Sequence, residues 1–84
     1  MSPTLGTLTG HAAALAEARG AAAGLAALEA MPRERVSTYQ PYWAARAHLL
    51  QRLGRSCDAT DAFDRAIGLT EDPAVRAFLL ERRG

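Results

Sequence analysis

Between Arg55 and Pro73 the chain reads RSCDATDAFDRAIGLTEDP. It places a thiol at Cys57 and carboxylates at Asp58, Asp61 and Asp64 within eight residues. Carboxylates and a thiolate can hold a divalent metal ion, and a cysteine at the start of a helix can become a reactive thiolate. The spacing argues for neither. On a helical wheel at about 100° per residue, Ala59, Ala62, Phe63, Ala66, Ile67 and Leu69 share one half of the circle. Asp58, Thr60, Asp61, Asp64 and Arg65 occupy the other half, so the aspartates belong to the solvated face. Asp61 and Arg65 are four residues apart, the spacing of a surface ion pair worth roughly 0.3–0.5 kcal/mol. Cys57 is the only cysteine. It can form no internal disulfide, and no second pair of ligands stands at a zinc spacing. No catalytic, cofactor-binding or metal-binding residue is assigned.

The elements that carry this stretch follow from composition. Nineteen of the 84 residues are alanine, and all ten basic residues are arginine. Alanine, leucine and arginine are strong helix formers, and no segment alternates apolar and polar residues at period two. The chain is read as all-α. A net charge of +1 gives no strong attraction to nucleic acid or an acidic membrane surface. No apolar run approaches the roughly 20 residues that span a bilayer. The opening MSPTLGTLTG lacks a basic segment followed by an apolar one, so no signal peptide is expected. One cysteine fits a reducing cytoplasm.

Residues 1–7 are expected to form a flexible lead-in and 8–84 one helical domain. The first helix is placed at about 8–19, ended by Gly20 in a left-handed stop. The second runs about 21–31, followed by the polar connection PRERVST. The third opens at Pro41, a favourable first-turn proline, and ends at Gly54. The fourth covers about 57–69 with Ser56 as N-cap, and a final capping helix covers about 73–82 with Asp72 as N-cap.

Gly20 and Gly54 lie 34 residues apart and each separates two helices, which is the period of a tetratricopeptide (TPR) repeat. In the second unit Trp43, Gly54, Ala59, Phe63 and Ala66 stand at the TPR spacing of aromatic, glycine, small, aromatic, small. Ala47, Ala59 and Ala66 are small enough to let two antiparallel helices approach, with Trp43 and Phe63 filling the space beside them. In the first unit, which has no tryptophan in its first helix, Gly24 and Leu28 take the places of Ala59 and Phe63 if its turn is one residue shorter. The predicted architecture is a TPR-like array of antiparallel hairpins with about five helices.

Two further sets of residues stand out. Arg46 falls on the wheel amid Tyr42, Leu49, Leu50 and Leu53. A guanidinium there needs a partner, so it is expected to pair with a carboxylate or with carbonyls at a helix end and to be structural. By TPR analogy Ala44, His48, Gln51 and Arg52 line a concave groove, faced by Ala14, Glu17 and Ala18 of the preceding unit. Glu17, Ala44, His48, Gln51 and Arg52 are the candidate partner-binding residues.

The segments AAALAEARGAAAGLAALEAM, YWAARAHLLQRLGR and DAFDRAIGLTEDPAVRAFLLERR resemble the C-terminal, TPR-like helical extension of a subgroup of bacterial extracytoplasmic-function (ECF) sigma factors. The resemblance runs from about Ala12 to Arg83 and is strongest from Tyr42 onward. Nothing in the chain matches the sigma regions that bind core polymerase or promoter DNA. The resemblance implies an excised regulatory domain or a stand-alone relative, contacting sigma regions, RNA polymerase or a regulator in transcription initiation. The expected function is a non-catalytic protein–protein interaction module with no direct nucleic-acid or membrane contact. The alternative is a self-associating helical domain that forms a homodimer.

Overall fold

The computed structural model describes residues 4–83, and within them the only regular elements are helices. They are α1 (Leu5–Arg19), α2 (Ala21–Glu29), α3 (Arg33–Val36), α4 (Gln40–Arg52), α5 (Ser56–Leu69) and α6 (Pro73–Arg83). Helices α1 and α2 form one hairpin, and α4 and α5 form a second and more extensive one. The hairpins meet through α4, which packs on both α2 and α1. Helix α6 packs on α5, as α4 packs on α2. It therefore continues the stacking pattern in the place expected for a cap.

Single glycines make the two hairpin turns. Gly20 has φ 102° and ψ 163°, a region that only glycine enters freely. Its N–H donates to the Ala16 carbonyl at 2.9 Å, and its own carbonyl accepts from Ala23 at 3.1 Å. One residue thus ends α1 and starts α2. Gly54, at φ 76°, ends α4 in a Schellman arrangement. Its N–H donates to the Gln51 carbonyl at 3.1 Å, and that of Arg55 to the Leu50 carbonyl at 3.0 Å.

Small residues set the helix separations. Ala47, Ala59 and Ala66 are buried together with Phe63, as the repeat spacing requires. In the first hairpin the buried residues of α1 are Thr9, Ala12 and Ala16. Gly24 of α2 lies against them. A Cβ built on it would stand 2.7 Å from the Ala16 Cβ, 2.8 Å from the Ala12 carbonyl oxygen and 3.0 Å from Leu49 Cδ1. Leu28 and Leu50 are the largest fully buried side chains and join the hairpins into one core.

Four local expectations are corrected. Of the lead-in assigned to residues 1–7, residues 5–7 belong to α1, and the first three lie outside the described range. Thr4 Oγ1 accepts from the Thr7 N–H at 3.1 Å, and Leu5 and Leu8 pack against the core. A cap and two apolar contacts override the poor propensities of Gly6 and Thr7. The connection PRERVST holds a short helix, α3, which brings the count to six. Arg55 is the N-cap of α5 and makes no side-chain cap bond, while Ser56 is its first helical residue. Arg65 does not pair with Asp61; it reaches away to α3, as described below. The Asp72 cap forms as expected, with Oδ1 accepting from the Ala74 N–H at 2.9 Å.

Candidate functional site

The wheel reading of α5 holds. Asp58, Asp61 and Asp64 are all exposed. Asp58 accepts from Arg55, with Nη2 to Oδ2 at 2.8 Å, and Asp64 pairs with Arg83, with Nε to Oδ1 at 2.6 Å. Cys57 is exposed and free. Among the described residues no three His, Cys, Asp or Glu side chains gather closely enough to hold a metal ion.

Two concave features stand out among the described residues. The first lies between α1 and α4, the leading helices of the two hairpins. It encloses about 100 Å³ and brings together Glu17, Ala45, His48 and Arg52. Residues 45, 48, 49 and 52 share one helical face, and that face of α4 meets α1. Arg52 Nη1 lies 3.5 Å from Glu17 Oε1, and both side chains are open to solvent. Three of the five candidate partner-binding residues, Glu17, His48 and Arg52, are there, whereas Ala14 and Ala18, expected beside Glu17, are not among the lining residues and Ala13 and Ala16 stand in their place. Ala44 is not among its lining residues; it is partly buried against the core, and Ala45 takes its place. Gln51 is also turned away. Its Nε2 donates to the Arg82 carbonyl at 2.9 Å, satisfying one of the last carbonyls of α6.

The second feature surrounds Trp43. One cleft, of about 310 Å³, lies where α2, α3 and α4 meet, and its walls include Glu29, Arg33, Tyr42, Trp43 and Arg46. A neighbouring cleft of about 320 Å³ opens toward α5 and shares Trp43 and Arg46 with the first. These two side chains form the partition between the clefts. The Trp43 indole is held edge-on to the buried Tyr42 ring, with centroids 5.1 Å apart. Its Nε1 donates to the carbonyls of Val36 at 3.1 Å and Ser37 at 3.3 Å. Arg65 of α5 also donates to the Ser37 carbonyl, at 3.2 Å. The Arg65 guanidinium carbon stands 5.3 Å from the Trp43 ring centroid, a cation–π distance.

This geometry corrects the expectation for Arg46. The carbonyls at the end of α3 are taken by Trp43 and Arg65. Arg46 is partly buried, and among the described residues it has no hydrogen bond or ion pair. It lines both clefts beside Trp43.

No family model matches the chain, and no solved structure matches it. Over 69 residues it is 41% identical to an uncharacterized protein of Rhizobium meliloti (strain 1021). The match covers 82% of this chain and 16% of the relative, so the chain corresponds to about a sixth of that protein's length. Among the described residues no helix is long and apolar enough to cross a membrane.

Proposed function

We propose that the chain is a non-catalytic protein–protein interaction module that docks a partner along the groove between α1 and α4. The observation that supports this reading is the meeting of Glu17, His48 and Arg52 in one groove formed by the leading helices of both hairpins. Helical arrays recognise partners on surfaces of this kind, through side chains that several repeats contribute jointly. The Glu17–Arg52 pair is exposed on both sides, so its net contribution to folding is small, and both charges are free to be exchanged for contacts with a partner.

The sequence resemblance to the C-terminal extension of ECF sigma factors supplies the class of partner: sigma regions, RNA polymerase or a regulator of initiation, in the cytoplasm. The test is direct. Purified chain is titrated against an ECF sigma factor lacking its extension and against core polymerase, with binding read by interferometry. Saturable binding to either, weakened at least tenfold by Arg52→Glu with an unchanged melting temperature, supports the reading. Absence of binding to both, or binding indifferent to Arg52→Glu, overturns it.

A second reading, self-association, is favoured by Phe78 and Leu80, large apolar residues of α6 that are 54% and 51% exposed. Light scattering of the chain and of Phe78→Asp distinguishes the two. A dimer dispersed by the substitution supports homodimerisation, and a monomer at millimolar concentration rejects it.

A further inference from the structure

We propose that the cleft between α2, α3 and α4 is a binding site for a single carboxylate on an acidic peptide, with an aromatic or apolar neighbour of that carboxylate packed on Trp43. The site is separate from the α1–α4 groove and does not depend on its role.

Three observations converge on this chemistry. The first is the state of Arg46. Arg52, Arg55 and Arg83 each have a carboxylate partner, and Arg65 and Arg76 each donate to a backbone carbonyl. Arg46 is partly buried in a cleft wall and has no such partner among the described residues. A guanidinium removed from water gains most from a planar two-oxygen acceptor, which it binds through parallel N–H groups. Arg33 lines the same cleft and adds a second positive charge.

The second observation is the rigidity of the wall. Trp43 is fixed by its indole N–H, shared between two carbonyls, by the Tyr42 contact and by the Arg65 stack. A ligand meeting it orders little that is not already ordered, which lowers the cost of binding. An aromatic or aliphatic side chain next to the bound carboxylate has a flat apolar surface to cover.

The third is the sign of the remaining charge. Glu29 stands in the cleft with Arg33 and Arg46, leaving a formal charge of +1 among the three, while Asp58, already paired with Arg55, and Asp61 line the adjoining cleft that shares Arg46. One monoanionic carboxylate balances that charge. A phosphate dianion overshoots it and is set against the Glu29 carboxylate. The cleft volume of about 310 Å³ lies at the lower end of the range for small-ligand sites and fits one or two side chains of an extended peptide.

The experiment uses the full chain labelled with 15N. The probes are acetyl-Ala-Phe-Asp-Ala-amide, the same peptide with Asn for Asp, and inorganic phosphate. The expected result is a saturable shift of the Trp43 indole N–H and the Arg46 Nε–H with the Asp peptide. Binding of the Asn peptide should be about tenfold weaker or more, the scale of one lost charge-assisted hydrogen-bond pair. Arg46→Gln should weaken the Asp peptide by a similar factor, and Arg46→Lys by less. Should Arg46→Gln lower the melting temperature, Arg33→Gln on the exposed rim supplies the same comparison. Equal binding of the Asp and Asn peptides overturns the proposal, as does the absence of any saturable shift at Trp43. Tighter binding of phosphate than of the Asp peptide also overturns it and assigns the cleft to a phosphate instead.

Discussion

Gly24 and Ala16 are in contact so closely that the smallest possible side chain on Gly24 would stand 2.7 Å from the Ala16 Cβ. This contact fixes the distance between α1 and α2. Gly24→Ala should therefore destabilise the fold by about 1–3 kcal/mol, the usual cost of overpacking, although alanine is the better helix former. Gly10 lies inside α1 with nothing within 4 Å of its built Cβ. There the helix propensity acts alone, and Gly10→Ala should stabilise by roughly 0.5–1 kcal/mol. Urea unfolding followed by circular dichroism checks both, and equal signs would refute the crossing argument.

The two turn glycines differ in kind. Gly54, at φ 76°, lies near the left-handed region that asparagine enters with little strain. Gly54→Ala should cost about 1 kcal/mol, and Gly54→Asn less. Gly20, at φ 102° and ψ 163°, lies where neither residue is comfortable. Both substitutions there should cost about 2–3 kcal/mol. Thermal melts of the four variants separate the two turns, and a Gly20→Asn variant as stable as Gly54→Asn would contradict the assignment.

The acidic residues of the stretch from Arg55 to Pro73 divide by their contacts. Asp72 caps α6 through the Ala74 N–H, and Asp72→Ala should lose about 1 kcal/mol. Asp58 and Asp64 sit in exposed ion pairs, and their replacement by alanine should change stability by no more than about 0.5 kcal/mol. Addition of zinc or magnesium should leave the melting temperature of the native chain unchanged, because a ligand stabilises only what it binds. A rise with either ion would restore the metal reading.

Trp43 and Arg65 should be energetically coupled. In a double-mutant cycle of Trp43→Leu and Arg65→Met, the interaction term should be about 0.5–1 kcal/mol, the size of an exposed cation–π contact. It should survive 0.5 M salt better than the effect of Glu17→Gln, since short-range ring contacts are screened less than an exposed ion pair. Urea midpoints from circular dichroism provide the four corners. A coupling near zero would show that Arg65 is held by the Ser37 carbonyl alone.

The parts of the fold that were legible in the sequence are those set by strong local signals. The α5 wheel placed Asp58, Asp61 and Asp64 correctly because its apolar and polar halves are cleanly divided. Gly54, Ala59, Phe63 and Ala66 announced the second hairpin because close helix approach demands small residues at fixed spacing. Gly24 was legible for the same reason. Helix α3 was not, because four residues of mixed charge carry no periodicity, and its carbonyls are satisfied from α4 and α5. Glu17, His48 and Arg52 came out on one groove because α4 faces α1 through residues three and four apart. Ala44 and Gln51 did not, because the wheel gives the neighbours of a face but not the angle at which another helix crosses it. The Trp43 clefts were hidden for a related reason. Their walls come from four helices, and it takes the turns around Pro32, Thr38 and Gly54 together to assemble them.

The chain has one tryptophan, and it stands in the partition between the two clefts. Its emission therefore comes from a single address with a cation on one face and an aromatic edge beside it. Unseating α3 or pulling Arg65 away would alter the colour and intensity of that emission while the rest of the bundle stays folded. Arrival of a guest in either cleft would do the same. The protein thus contains a built-in optical probe at the surface where occupancy is in question, and no label has to be introduced to watch it.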